Sequence, residues 1–243
     1  MYRPDTYHPD DGELDAAREQ LVSYSNRLLT DGLALGSAGN ISVRIGDTVL
    51  ITPSSVPYPQ MRPEQVCTLQ LAPGETAGPD GLTMGGMRLA APPPVATSSE
   101  TPMHLAIYAS SSAGGVVHTH SPEVIALSAV FDKLPAIHYA IHALGGTVRV
   151  APYTRFGSEG LAQAAVLALD GRSAVILRNH GAVTYGRDLA QAYDRALLLE
   201  WLARTYRLAL SYGEPATLSA AELDEVTAES RRRRYGERRS GQP

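Results

Sequence analysis

Cysteine and lysine are almost missing from this chain of 243 residues, which holds one of each, Cys67 and Lys133. A lone cysteine excludes an internal disulfide framework and fits a reducing compartment. The lone lysine sits in the turn FDKLPA, with no sign of the desolvated setting that a Schiff-base amine needs. Long apolar runs are missing too, and the opening stretch MYRPDTYHPDDGELD has no apolar core. Neither a membrane span nor a secretory leader is therefore expected, and the cytoplasm is the expected compartment. Charge excess is absent as well: a net charge of −4 gives no reason to expect nucleic acid or an anionic membrane as partner. What is present is an ordinary globular composition, 44% hydrophobic with 22 glycines, long enough for one sizeable core in one domain.

Periodicity predicts helices at both ends and strands between them. Leu14, Ala17, Leu21, Tyr24 and Leu28 recur at helical spacing over 14–29, and TDG ends the pattern. NISVRI (40–45) and TVLITP (48–53) alternate as strands around Gly46 and Asp47, and QVCTLQL (65–71) reads as a third. The Gly- and Pro-rich stretch 73–96 reads as a hairpin or long loop. SSETPMHLAIYASS (98–111) reads as a helix capped by Ser98 or Ser99, with Pro102 in its first turn. Strand GGVVHTH (114–120), helix PEVIALSAV (122–130), strand TVRVAPY (147–153) and helix GLAQAAVLALDG (160–171) follow. Strand SAVILRNHG (173–181) and a long helix from about Leu189 to Leu210 complete the pattern, with no repeat of 20 to 50 residues. Without a clean βαβ rhythm, the expected class is α/β of the α+β type: a single domain with a central, mostly antiparallel sheet flanked by helices. The expected boundaries are a flexible segment 1–13, a domain over 14–212 and a C-terminal segment 213–243.

Two of the seven histidines fall in GGVVHTHSPE (114–123). On a strand, side chains at i and i+2 share a face, so His118 and His120 would stand side by side and offer two ligands to one metal ion. One packed and one solvated histidine fits the same spacing. His180 lies just past the apolar stretch AVILRN, where Gly181 lets the backbone turn tightly. Spacing alone reads His180 as a strand-end residue and does not pair it with the other two. Three imidazoles with one open position is, however, the donor pattern of a catalytic zinc.

Seven segments in order resemble the class II aldolase/adducin family, nearest its L-fuculose-1-phosphate aldolases and related ketose-1-phosphate aldolases. They are SAGNISVR (37–44), ITPSSVPY (51–58), SSETPMHLAIY (98–108), VVHTHSP (116–122), LPAIHYAIHALGG (134–146), APYTRFGS (151–158) and RNHGAVTYG (178–186). The resemblance implies a central sheet flanked by helices, one zinc ion per chain, and a homotetramer with its active sites at subunit interfaces. It makes His118, His120 and His180 zinc ligands. Glu100 becomes a fourth ligand in the resting enzyme and the acid/base once substrate displaces it, its charge held by the helix dipole and by zinc. Gly39, Asn40, Ser54, Ser55, Ser98 and Ser99 match positions that bind the substrate phosphate, Gly39 by letting the backbone come close. Ser54-Ser55 stands where relatives carry Thr-Gly, a departure at a backbone contact. Tyr139 matches a tyrosine that donates a proton in the neighbouring subunit's site. Tyr235-Gly236, in the basic stretch RRRRYGERR, matches a tail that closes over the site. The arginines before it read as a solvated run.

The implied reaction is reversible cleavage of a ketose 1-phosphate between C3 and C4. Zinc chelates the C2 and C3 oxygens and stabilises an enediolate. Tyr139 exchanges the proton of the C4 oxygen and Glu100 returns one to carbon, giving dihydroxyacetone phosphate and an aldehyde. Three relatives of the same fold are rivals. A sugar-phosphate 4-epimerase has Asp where this chain has Glu100. A methylthioribulose-1-phosphate dehydratase is the second. An adducin-like binding module, the third, lacks the zinc histidines.

Overall fold

The computed structural model describes residues 7–71, 83–84, 87–91, 94 and 96–233. Helix α1 (Asp11–Thr30) begins earlier than its apolar stripe, because Asp10 and Glu13 cap it reciprocally through each other's backbone N–H. Strands β1 (Asn40–Ile45), β2 (Thr48–Ile51) and β3 (Cys67–Gln70) form the expected antiparallel meander. A short antiparallel pair, β4 (Thr83–Met84) and β5 (Met87–Arg88), gives the hairpin reading of 73–96 its described part. There follow α2 (Thr101–Ser110), β6 (Gly115–Thr119), α3 (Pro122–Val130), β7 (Lys133–Leu134) and β8 (Val148–Ala151). The chain continues through α4 (Glu159–Ala168), β9 (Ala174–Leu177), β10 (Gly181–Gly186), α5 (Leu189–Tyr212) and α6 (Ala220–Arg232).

The main sheet runs β3-β2-β1-β6-β10-β9-β8-β7, and only the β8–β9 pair is parallel. This is the mostly antiparallel sheet that the patterning predicts. Alternation along its strands sorts the core into two faces. Val116 packs with α2 and α4, while its neighbour Val117 packs with α1 and α5. The α3–α5 side of the sheet carries a third cluster around Ile176, Ala182 and Leu202. The sheet centre is tight: a Cβ on Gly115 would stand 2.6 Å from the backbone of Leu189, where α5 begins. Among the described residues, no helix is long and apolar enough to cross a membrane.

Four elements differ from the sequence reading. Strand β10 follows β9 after a three-residue turn, so one stretch read as a strand and its loop is a hairpin. Strand β7 has two residues, too few for a period. A 3₁₀ turn spans Tyr139–Leu144. Helix α6 fully buries none of its residues; its half-buried face, with Leu223, Val226 and Thr227, is short, and Ser219 and Glu222 form a capping box at its start. At α2 the cap is Glu100, not Ser98 or Ser99. The Ser98 hydroxyl instead accepts the Glu100 N–H, and the Ser98 carbonyl accepts the N–H and hydroxyl of Thr101.

Antiparallel neighbours put the start of one strand beside the end of the next. The start of β1 (Asn40) pairs with His118 near the end of β6, and the start of β10 (Ala182) pairs with Thr119. The end of β9 (Leu177) lies across from Gly181, and β8 runs parallel to β9, so its end emerges beside it. Five strand ends thus open on one edge of the sheet. Over this edge lies α2, whose His104 is fully buried between Asn40 and Ser42 of β1.

Burial pushes the His104 imidazole down to about 3, far below an ordinary histidine. Between pH 6.5 and 3 the unfolded chain therefore binds a proton that the folded chain refuses, so this contribution is full above pH 6.5 and is lost as pH falls. Denaturant titrations at pH 7 and pH 5 should show the native protein losing about 2 kcal/mol more stability than His104→Gln over that interval. Equal losses would mean that His104 titrates normally in the fold.

Candidate metal centre

His118 comes from β6, His120 from the residue after it, and His180 from the turn between β9 and β10. Their rings stand 4.9 Å apart, centroid to centroid, in all three pairs, each nearly edge to face. One nitrogen from each lies within 4.8 Å of the others. The sequence pairs only His118 and His120; the β9–β10 hairpin supplies the third ring. Glycines permit this approach. A Cβ on Gly181 would lie 2.0 Å from the Thr119 carbonyl oxygen, and one on Gly39 2.7 Å from that of His118. Gly39 also has a φ of 78°, in the left-handed region. The close approach expected at Gly39 is thus to strand β6.

The His118 Nδ1–H donates to the Ala182 carbonyl at 2.9 Å, which leaves Nε2 with a bare lone pair facing His120 Nε2 at 3.1 Å. All three imidazoles are pushed below the usual range, His120 to about 4, first by burial; for His118 and His120 the neighbouring rings add to this. They are neutral at ordinary pH, the form that can bind a metal ion.

Glu100 turns into the same space from the start of α2, with Oε1 3.9 Å from His180 Nε2. That oxygen accepts the Gly157 N–H at 3.2 Å, while Oε2 is buried without a hydrogen-bond partner among the described residues. Burial raises the Glu100 carboxyl to about 7 against the pull of the Gly157 N–H. In the protein alone, desolvation outweighs the helix start at this carboxyl, so the charge expected there needs the ion as well as the dipole. Three convergent imidazole nitrogens and a carboxylate oxygen without a hydrogen-bond partner are nitrogen and oxygen donors whose number suits a zinc-like divalent ion. The residues fit a metal.

These groups line a cavity of about 360 Å³, together with Gly39, Asn40, Ser54, Ser55, Ser98 and Ser99. Every position expected at the phosphate end is thus gathered around the histidines. Ser55 has a φ of 61°, the left-handed region that favours glycine. Tyr139 lies elsewhere. It is 57% exposed and lines a second cavity with His142, Glu225 and Glu229. Tyr235 falls outside the described residues.

Several residues of the cavity carry no role in the sequence reading. Tyr153, Thr154 and Phe156 form one wall, from the loop after β8. Asn179 lines it too, with a φ of 55° that no pattern forecasts for a non-glycine residue. Its N–H is held by the Ser128 hydroxyl of α3 at 2.9 Å, which steadies the turn that carries His180.

The family model described as Class II Aldolase and Adducin N-terminal domain matches residues 19–207. A 5-deoxy-D-ribulose 1-phosphate aldolase of Bacillus thuringiensis is 35% identical over 216 residues, 88% of this chain and 94% of that protein. A 5-methylthioribulose-1-phosphate/5-deoxyribulose-1-phosphate aldolase of Rhodospirillum rubrum is 35% identical over 217 residues, 88% of this chain and 91% of the other. A solved L-fuculose 1-phosphate aldolase superposes with a TM-score of 0.79 at 26% identity, covering 93% of this chain and all of that one. With its fold, its histidine cluster and these likenesses in agreement, this chain belongs to the class II aldolase and adducin family.

Proposed function

We propose that the protein is a metal-dependent lyase, a class II aldolase that reversibly cleaves a ketose 1-phosphate of the 5-deoxyribulose or L-fuculose type. The products are dihydroxyacetone phosphate and an aldehyde. The observation that carries this reading is the single cavity in which three convergent imidazoles and a carboxylate oxygen without a hydrogen-bond partner face a rim of small hydroxyls and an amide. His118, His120, His180 and, at rest, Glu100 hold the ion, which we take to be zinc, one per chain. Once bound, it supplies Lewis acidity toward the negative charge that carbon–carbon cleavage leaves behind.

The protein's own groups do the rest. Asn40, Ser54, Ser55, Ser98 and Ser99 bind the phosphate through hydroxyls, an amide and backbone N–H groups, without needing arginine. Glu100 moves a proton to and from carbon. Its carboxyl reaches into the cavity with one oxygen on the Gly157 N–H and the other without a hydrogen-bond partner among the described residues. Tyr139 serves a neighbouring subunit in a homotetramer as proton donor to the C4 oxygen. Its exposure and its distance from its own chain's cavity lining agree with that role. The sole lysine, Lys133, lies in the two-residue strand β7 and is absent from the cavity lining, so a Schiff base has no amine there.

Offered a panel of ketose 1-phosphates, the purified protein should release dihydroxyacetone phosphate from a 5-deoxyribulose or fuculose type substrate. Epimerisation at C4 without cleavage would replace the aldolase with its epimerase relative. Metal analysis should find about one divalent ion per chain, with EDTA abolishing turnover. Replacing His118, His120 and His180 together by alanine should remove the ion, and stoichiometric metal in that variant would refute the ligand set. Glu100→Gln keeps size and removes the base, so turnover should fall roughly 10²–10⁴-fold while the histidines retain the metal. Near-normal turnover would reduce Glu100 to a helix-start carboxylate.

A further inference from the structure

Behind the cavity lies a polar chain that the reaction as described leaves unused. Tyr108, His104 and Ser42 are fully buried, and Asn40 is 6% exposed. The Tyr108 hydroxyl lies 2.8 Å from Ser42 Oγ, Ser42 Oγ 2.7 Å from His104 Nδ1, and His104 Nε2 2.6 Å from Asn40 Oδ1. Core polar groups of this kind are costly unless each has a partner.

The direction of the chain follows from its closed end. Among the described residues the Tyr108 hydroxyl has Ser42 as its one hydrogen-bond partner, so its proton goes to Ser42 Oγ. The Ser42 hydroxyl proton must then go to His104 Nδ1. A neutral imidazole carries one N–H, which is thereby assigned to Nε2 and donated to Asn40 Oδ1. Burial keeps the ring neutral, so no second ring proton reverses the order. Asn40 is left with its oxygen turned inward and its amide N–H₂ turned to the cavity that it lines.

We propose that Tyr108, Ser42 and His104 are positioning residues that lock the Asn40 amide with its donors facing the cavity, presetting that end for the phosphate of the substrate. This rests on the reading of Asn40 as a phosphate ligand. An unlocked amide would turn its oxygen to the phosphate in part of the population, and donors fixed in advance save the cost of turning it back. His104 touches neither substrate nor metal in this arrangement. It acts through Asn40.

Steady-state kinetics on the metal-loaded enzyme, with inorganic phosphate as competitive inhibitor, provide the test. Ser42→Ala and His104→Leu should each raise the KM for the ketose 1-phosphate and the Ki for phosphate roughly 10-fold, while kcat falls far less. His104→Gln places an amide N–H where Nε2–H stood and should recover most of the loss. Adding His104→Leu to Asn40→Ala should weaken phosphate binding no further, since both act through one amide. If Asn40→Ala weakens phosphate while Ser42→Ala and His104→Leu leave it as in the native enzyme, the relay is refuted and the phosphate reading stands. If Asn40→Ala itself leaves phosphate inhibition unaltered, the phosphate reading fails and the relay's purpose with it. Ring-nitrogen NMR of the native protein needs no variant: His104 should be protonated on Nε2 and bare on Nδ1, and the opposite tautomer overturns the proposal.

Discussion

The close approach of β6 to its two neighbours is the constraint on which the site depends. Gly39 and Gly181 stand where a side chain would overlap the backbone carbonyls of His118 and Thr119. With those gaps filled, β1 and the β9–β10 turn would be forced away from β6. Asn40 would then leave its place across from His118, and His180 would leave the other two imidazoles. The same backbone contact orients His118, since the Ala182 carbonyl that takes its Nδ1–H belongs to β10. The spacing of β6 from its two neighbours thus decides whether three rings share a centre.

Having brought the donors together, the fold leaves them electrically incomplete. Burial strips the imidazoles of their protons and raises the Glu100 carboxyl, so little charge is present where many lone pairs converge. Desolvation and mutual repulsion are both relieved by one cation, and a preset site of this kind exchanges folding stability for affinity. The orphaned Glu100 oxygen carries the same message from α2, on the opposite side of the cavity from the strands.

Much of this is legible in the residues. The i, i+2 pair at His118 and His120 follows from strand geometry, and the sheet class follows from alternation in NISVRI and TVLITP. Their meeting with His180 does not, because it depends on the three-residue turn between β9 and β10 and on a left-handed Asn179 that no periodicity encodes. Resemblance to a family supplies that link and the phosphate-end positions, all of which line one cavity with the histidines. Helix α6 is hard to read because its half-buried face, with Leu223, Val226 and Thr227, is short, and Gly157 because a backbone N–H leaves no mark in side-chain patterns. His104 looks from its sequence like any polar residue on a helix. Its burial beside β1 is a tertiary fact.

The one parallel pair in the sheet, β8 with β9, requires a crossover, and α4 provides it. The loop that leaves β8 for this crossover is where Tyr153, Thr154, Phe156 and Gly157 reach the cavity. None of the histidine-bearing strands passes through it. Changes of wall residues there need not disturb the hydrogen bonds that hold β1, β6 and β10 in register. Such a division leaves the wall's side chains free to vary while the strand register that gathers the three histidines stays constant, with the Gly157 N–H as the loop's backbone tie to Glu100.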